Sequence, residues 1–356
     1  MNTIITKHYC PKQTLIFKET EPERAFRCGG RILLLILLLE TIFSHFFTLN
    51  AEKIVTVATI GDLPPVIKSD NKQDIVKHVI NFWDKELKHV LKKKPDLIVL
   101  PEFCDLSSLG EPYLSIRKNQ VLDFFASVSK KNQCYIAFGM QRMDEEGNWR
   151  NSCVIVGRNG EIAGIYDKNF PTIGEIDLGI KPSDNSEILK LDFGKVAVAI
   201  CFDLNFDELR AKYAKERPDM IIFSSMYHGG VSQRLWAYSC ESYFVGSVYR
   251  GYPSEIRDPR GDVIATSNKH YNYAIAKINL DFRRVHLAYN YVGLKTLKDK
   301  YGKTVKISDP GESSSVIVTS ENPAVSAEKM IREFDIVQFD DYLDQVREIK
   351  IEDGKH

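Results

Sequence analysis

Continuous apolar runs alternate with amphipathic stretches through most of the chain. The runs KIVTVATI (53–60), DLIVLP (96–101) and KVAVAI (195–200) have the character of strands in a parallel sheet that is buried on both faces. Residues 71–94 instead repeat apolar positions at roughly helical spacing, end in lysines and meet Pro95. That pattern predicts an amphipathic helix that stops before the proline. The chain is therefore expected to alternate strands with helices.

Two predicted hairpins interrupt this alternation. Arg158-Asn159-Gly160 and Pro259-Arg260-Gly261 each separate a pair of strand-like runs, and both triplets are typical of tight turns. The order β-α-β-α-β followed by β-β thus occurs twice. It fits an α/β protein built as a four-layer α-β-β-α sandwich of two mixed sheets, with helices outside. Further strands are predicted at 134–140, 152–157, 161–166, 219–225, 244–249 and 273–278, and further helices at 118–131, 206–216 and 231–242.

The alternating pattern defines a central domain, residues 51–286, between two extensions. The C-terminal extension, residues 287–356, combines a helical segment, a short strand at SVIVTS and an acidic stretch with helical pattern. Such a tail either wraps a partner subunit at an oligomer interface or is a solvated extension. Both interpretations stay open at this stage.

The N-terminal extension, residues 1–50, contains the apolar run ILLLILLL at 32–39 behind several arginines. This arrangement resembles the core of a secretory signal, with cleavage near Ala51. A membrane-spanning helix needs about 20 apolar residues, and Glu40 and His45 interrupt this run. The alternatives are an exported protein, a membrane anchor through residues 32–49, and a chance apolar extension of a cytoplasmic protein.

The composition narrows the class of partners and cofactors. The chain has 48 basic and 48 acidic residues, so no overall field favours nucleic acid or an anionic membrane. A hydrophobic share of 44% is ordinary for a globular protein with a large core. The seven cysteines contain no C-x-x-C pair and no zinc-like cluster with histidine, which indicates buried free thiols.

Reactive side chains lie at the ends of strand-like segments. LIVLPEF carries Glu102, YDKNFP carries Lys168 and VAVAICFD carries Cys201, and strand ends of an α/β sheet are where ligand sites form. A free thiol has a pKa of about 8.5 and needs an activating neighbour. Glu102 is suited to take that proton, while Lys168 and the Phe202 N–H are suited to hold an oxyanion. Taken singly, each side chain has a plainer interpretation: a core thiol, a paired carboxylate or a solvated amine.

Together, in the order glutamate, lysine, cysteine, these segments resemble the nitrilase (carbon–nitrogen hydrolase) superfamily. The matching pieces are LIVLPEF, YDKNFPTIGE and AICFDLNFDELR, and the resemblance extends over about residues 53–280. It implies a Glu102–Lys168–Cys201 triad on an α-β-β-α sandwich, with Glu175 orienting the lysine. It also implies cofactor-free hydrolysis of a small linear carboxamide through a cysteine thioester.

Departures from the family pattern leave the substrate open. Phe202-Asp203 follows the cysteine where nitrilases usually carry Trp-Glu, which favours an amidase or an N-carbamoyl amidohydrolase over nitrile cleavage. A catalytically silent protein of this fold is a further alternative. Tyr227, His228 and Trp236 are candidate substrate contacts, although residues of these types are often structural. Because family members commonly dimerise through the helices next to the nucleophile, a homodimer or larger assembly is expected.

Overall fold

The computed structural model describes residues 54–105, 111–309, 311 and 313–353. The signal-like segment at 32–39 and the rest of the N-terminal extension lie outside these residues, so export and anchoring remain predictions. In the described ranges, no helix combines the length and the apolar character needed to cross a membrane.

The first sheet combines parallel central strands with antiparallel flanks. Its strand order is β12-β1-β2-β3-β4-β5, in which β1, β2 and β3 run parallel and the outer pairings are antiparallel. The strands are β1 (Ile54–Ile60), β2 (Leu97–Val99), β3 (Tyr135–Met143), β4 (Trp149–Val156), β5 (Ile162–Asp167) and β12 (Tyr273–Asn279).

The second sheet repeats this plan. Its order is β11-β10-β9-β8-β7-β6, with β7, β8 and β9 parallel and the flanking pairings antiparallel. The strands are β6 (Leu189–Leu191), β7 (Gly194–Ile200), β8 (Met220–Ser225), β9 (Tyr243–Val248), β10 (Glu255–Arg257) and β11 (Val263–Thr266). The short edge strand β6 is not anticipated by the sequence pattern.

Helices cover the outer face of each sheet. On the first sheet lie α1 (Lys72–Leu91), α2 (Glu111–Arg117) and α3 (Gln120–Asn132), and on the second lie α5 (Asp207–Glu216) and α6 (Val231–Cys240). The short helix α4 (Ile173–Asp177) connects β5 to β6. These layers form the predicted α-β-β-α sandwich, which confirms the predicted fold.

The alternation of side chains explains why the central strands are apolar along most of their length. In β7, Val196, Val198 and Ile200 pack into the core between the two sheets, whereas Ala197 and Ala199 face the helices α5 and α6. Successive side chains of a strand point to opposite faces, so burial on both faces requires a continuous apolar run. At the end of β8 the Ser224 hydroxyl donates to the Leu100 carbonyl of the other sheet at 2.8 Å.

A smaller sheet follows at the C-terminal end. It has the order β13-β15-β14, with β13 (Phe282–His286), β14 (Val305–Ser308) and β15 (Ser315–Ser320). The helices here are α7 (Tyr291–Tyr301), α8 (Ala327–Glu333) and α9 (Phe339–Asp353). This sheet crosses the boundary predicted at residue 286, since β13 precedes it and its partner strands follow it. The division into domains remains a prediction.

Candidate active site

Glu102 lies just beyond the end of β2, in a tight crossing of the backbone over β3. Gly139 of β3 donates to the Pro101 carbonyl at 3.1 Å, and its own carbonyl accepts from the Cys104 N–H at 2.9 Å. The next residue, Phe103, has a φ of 53°. These contacts hold the Glu102 carboxylate in a buried position, where only 1% of the residue is exposed.

Lys168 follows the last residue of β5 and reaches the same buried point. Its Nζ lies 2.9 Å from Glu102 Oε1 and 2.7 Å from Glu175 Oε2. Burial by itself lowers the pKa of a lysine, but the negative charges around Lys168, foremost that of Glu102, outweigh burial and raise its pKa above the usual value. The side chain is therefore a fixed cation within the protein.

Glu175 belongs to the first turn of α4, where it completes a capping box. Its backbone N–H donates to Thr172 Oγ1, and its carboxylate accepts from the Thr172 N–H at 2.7 Å. Such reciprocal bonds fix the start of a helix. Although burial opposes ionisation, the Lys168 charge lowers the pKa of Glu175. Both predicted glutamates thus contact the predicted lysine.

Asn151 completes this cluster, and sequence reasoning missed it. It lies on β4, is fully buried, and its Nδ2 donates to Glu102 Oε1 at 2.7 Å and to Glu175 Oε1 at 2.6 Å. Its main-chain carbonyl also accepts the Lys168 N–H at 2.8 Å. The available signal was an amide at the start of the strand-like run that follows Arg150, because buried polar side chains require partners.

Cys201 turns out of the sheet immediately after β7. It has a φ of 48° and begins the 3-10 turn Cys201–Asn205, a backbone conformation that costs a non-glycine residue of the order of 1 kcal/mol or more. The thiol is half-buried, and the Glu102 carboxylate and the Ser225 hydroxyl are close enough to act on its pKa. Burial and the Glu102 charge raise the pKa of Cys201 to about 12, although Lys168 opposes them.

Asp203 connects the cysteine turn to the lysine loop. Its Oδ2 accepts from the Ile200 N–H at 2.9 Å and from the Tyr166 hydroxyl at 2.8 Å, while Oδ1 accepts from the Phe170 N–H at 2.9 Å. Burial raises the pKa of Asp203 to about 6, with these donors acting in the opposite direction. One buried carboxyl group therefore fixes the position of Cys201 relative to Lys168.

Phe202 and Tyr227 are two further residues that the sequence analysis proposed for the site. Phe202 is 38% exposed, and its N–H lies in the first turn of a helix, where backbone donors lack intrahelical acceptors. Tyr227 is half-buried, and its hydroxyl lies 3.1 Å from Asn205 Nδ2. Burial raises the pKa of Tyr227, and the preceding residue, Met226, donates its N–H to Glu102 Oε2 at 3.1 Å.

His228 and Trp236 make contacts within the protein instead. His228 Nε2 lies 3.2 Å from Glu255 Oε2, and its Nδ1 accepts from the Gly230 N–H. Trp236 is 1% exposed in the core under α5 and α6, and its indole N–H donates to the Leu204 carbonyl at 3.2 Å. The tryptophan therefore supports the turn that carries the cysteine and presents almost no surface to a substrate.

No group of three or more His, Cys, Asp or Glu side chains suited to a metal ion occurs among the residues that the structure describes. The chemistry of the cluster is that of an acid–base pair next to a thiol: a carboxylate to move protons, an ammonium to stabilise negative charge and a sulfur to attack.

Comparison with known proteins gives matches to enzymes that share this fold. The chain is 24% identical over 274 residues to a nitrilase homolog 2 from Dictyostelium discoideum, covering 66% of this chain and 82% of that protein. It is 23% identical over 246 residues to an omega-amidase from Xenopus tropicalis, covering 61% and 85%. A double mutant of the amidase from Nesterenkonia sp. AN1, solved in complex with acrylamide, superimposes with a TM-score of 0.55 at 10% identity, over 64% of this chain and 92% of that one.

The family assignment follows from a match over more than half of the chain. Residues 56–285 match the model of the carbon-nitrogen hydrolase family, and this range includes Glu102, Lys168, Glu175 and Cys201. The chain belongs to the carbon–nitrogen hydrolase family of enzymes.

Proposed function

We propose that this chain is an amidase that hydrolyses a small linear carboxamide through a thioester on Cys201. The observation that carries the proposal is the buried cluster in which Glu102 accepts from the Lys168 ammonium at 2.9 Å and its charge acts on the Cys201 thiol. The names of the relatives support it, since an omega-amidase and an amidase bound to acrylamide both act on, or hold, amides.

The first step requires a base, because the raised pKa of Cys201 keeps the thiol protonated at neutral pH. Glu102 Oε1 already accepts from Lys168 and Asn151, whereas Oε2 accepts from the Met226 N–H at 3.1 Å. We assign the proton transfer to Oε2, which has the greater remaining capacity. The sulfur forms a bond to the amide carbon as its proton passes to Glu102.

The tetrahedral oxyanion that results is held by the Lys168 ammonium and the Phe202 N–H. The carbon–nitrogen bond then breaks, Glu102 returns its proton to the nitrogen, and ammonia leaves a thioester behind. In the second half, Glu102 takes a proton from water as the water oxygen attacks the thioester. The carbon–sulfur bond breaks, the thiol regains its proton, and the carboxylic acid is released.

Purified full-length protein tests this proposal in a screen of carboxamides and N-carbamoyl compounds that monitors ammonia. The expected result is ammonia without carbon dioxide, together with an acyl adduct on Cys201 in mass spectra. Removing one oxyanion donor typically costs a hundredfold or more, so Lys168→Ala should be nearly inactive and Cys201→Ala inactive. Carbon dioxide release would instead support a carbamoyl amidohydrolase, and substantial turnover by folded Cys201→Ala would refute the mechanism.

We further propose that the enzyme assembles as a homodimer or larger oligomer. On α6, Val231 is 78% and Leu235 44% exposed, and α9 leaves Val346, Ile349 and Ile351 exposed along its outer half. Large apolar side chains on neighbouring helical turns are typical of a surface that another subunit covers. Light scattering at micromolar concentration should give at least twice the chain mass, and Leu235→Asp should lower it. A monomeric wild-type protein would contradict this proposal.

A further inference from the structure

The buried polar cluster contains more negative than positive charge. Glu102 and Glu175 both contact the ammonium of Lys168, at 2.9 and 2.7 Å. Two carboxylates on one cation repel each other in a buried site, and such repulsion favours protonation of one of them. A protonated Glu102 would be unable to accept the thiol proton, so the cluster needs further donors aimed at its carboxylates.

Asn151 supplies those donors without adding charge. Its Nδ2 carries two hydrogens, and the distances to Glu102 Oε1 and Glu175 Oε1, 2.7 and 2.6 Å, place one hydrogen on each carboxylate. The opposite orientation of the amide would point its oxygen at both carboxylates and is excluded by this network. The side chain therefore links the two acids as Lys168 does, through the same oxygen of Glu102 but through the other oxygen of Glu175.

The side-chain oxygen of Asn151 argues against a purely structural role for this residue. Asn151 is fully buried, and its Oδ1 makes no hydrogen bond to any residue that the structure describes. A buried acceptor without a partner destabilises a folded chain. Stability alone would favour a smaller or apolar side chain here, so the benefit of the asparagine lies in its two donated bonds.

We infer that Asn151 is a positioning residue of the amide-hydrolysis site: its amide group stabilises the negative charge of the Glu102 carboxylate through a hydrogen bond and aligns it toward Cys201. This inference rests on the proposed function, and it adds a fourth side chain to the cluster of Glu102, Lys168 and Glu175. The main-chain carbonyl of Asn151 binds the Lys168 N–H whatever the side chain. Substitution therefore isolates the effect of the amide group from the pairing of β4 with β5.

The test compares Asn151→Ala and Asn151→Asp with the wild type on its best amide, measuring kcat and KM from pH 5 to 10. Loss of the donors should lower kcat by about 10- to 1,000-fold and change KM less than about threefold. The acid limb of the pH–rate profile should move upward by about one pH unit, and further in Asn151→Asp, which adds a third carboxyl. Asn159→Asp, at an exposed turn beyond β4, is the matched control and should leave the profile unchanged.

A second readout separates this inference from the proposed function. Alkylation of Cys201 by iodoacetamide, followed by mass spectrometry as a function of pH, needs no substrate. Asn151→Ala should slow labelling about tenfold near pH 6.5, where Glu102 assists, and leave it unchanged at pH 10. If the wild type hydrolyses no amide, the proposed function fails while labelling still tests Asn151. Superimposable labelling curves, or a lower melting temperature with an unshifted acid limb, would overturn the inference.

Discussion

Replacing Gly139 by alanine should displace the backbone of Glu102 while leaving the Glu102 side chain chemically unchanged. A Cβ added at Gly139 would lie 2.5 Å from the Glu102 Cα, 2.7 Å from the Pro101 carbonyl oxygen and 2.8 Å from the Phe103 N. All three are backbone atoms, so no side chain can rotate to relieve the contact. The Glu102 backbone must retreat by about 0.9 Å to restore an ordinary carbon–carbon separation of about 3.4 Å.

A displacement of that size has predictable consequences for stability and rate. Overpacking a buried position typically costs about 1–3 kcal/mol of folding free energy. This cost is smaller than the total free energy of unfolding of a typical domain. A misplacement of about 1 Å at a reacting group costs about a hundredfold in rate, equivalent to about 2.7 kcal/mol of barrier. We therefore expect Gly139→Ala to fold, to melt at a lower temperature and to lose about two orders of magnitude in kcat/KM.

Gly174→Ala provides the matched control. It lies on the exposed side of α4, and the nearest atom to its added Cβ is Thr172 Oγ1 at 4.0 Å. Alanine in place of glycine within a helix stabilises by about 0.5–1 kcal/mol, so this variant should melt no lower than the wild type and retain its kcat/KM. A folded Gly139→Ala with wild-type kcat/KM would show that the position of the Glu102 backbone does not limit the rate.

Three further outcomes follow from the contacts of the site. Asp203→Asn replaces a double acceptor by a group with one oxygen and should cost about 1–3 kcal/mol in denaturant melts, with a lower kcat, because the cysteine turn is no longer tied to the lysine loop. Trp236→Phe removes the bond to the Leu204 carbonyl and should cost about 1 kcal/mol while leaving KM unchanged. The folded-state pKa of Cys201, about 12, lies above the ordinary pKa of a free thiol, so its contribution to stability is complete below that ordinary value and is lost as the pH rises toward 12. Between pH 7 and pH 10 the wild type should therefore lose on the order of 1 kcal/mol more stability than Cys201→Ala, measured by urea titration at both pH values.

The sequence predicted the central strands closely, because burial on both faces leaves a continuous apolar run. The predicted strand at 195–200 became β7 at Gly194–Ile200, and the predicted helix at 206–216 became α5 at Asp207–Glu216. The elements that escaped prediction are short. β6 spans Leu189–Leu191 at a sheet edge, and α2 spans only Glu111–Arg117. Neither is long enough to show a recognisable periodicity of apolar residues.

The positions of Glu102, Lys168 and Cys201 were predictable because each follows a strand-like run, and ligand sites form at the carboxyl ends of such strands. The sequence did not show that two sheets contribute to the site, β2 and β5 from the first and β7 from the second. Asn151 and Asp203 were not, since each is a single polar residue whose partners are distant in sequence. Trp236 was expected near the substrate, but its place on the inward face of α6 puts it in the core. An aromatic side chain on the inward face of a helix usually packs in the core.

The electrostatic arrangement explains why a thiol with a raised pKa still suits this chemistry. A thiolate stabilised strongly in the resting enzyme would also be a weaker nucleophile, because nucleophilicity falls with pKa. Here the negative charge rests on Glu102, which Lys168 and Asn151 stabilise through hydrogen bonds, and the thiol stays neutral until a carbonyl is present. In the proposed mechanism, charge then moves from the carboxylate through sulfur to the oxyanion, toward the Lys168 ammonium, so the stabilisation is greatest when the carbonyl oxygen becomes negative.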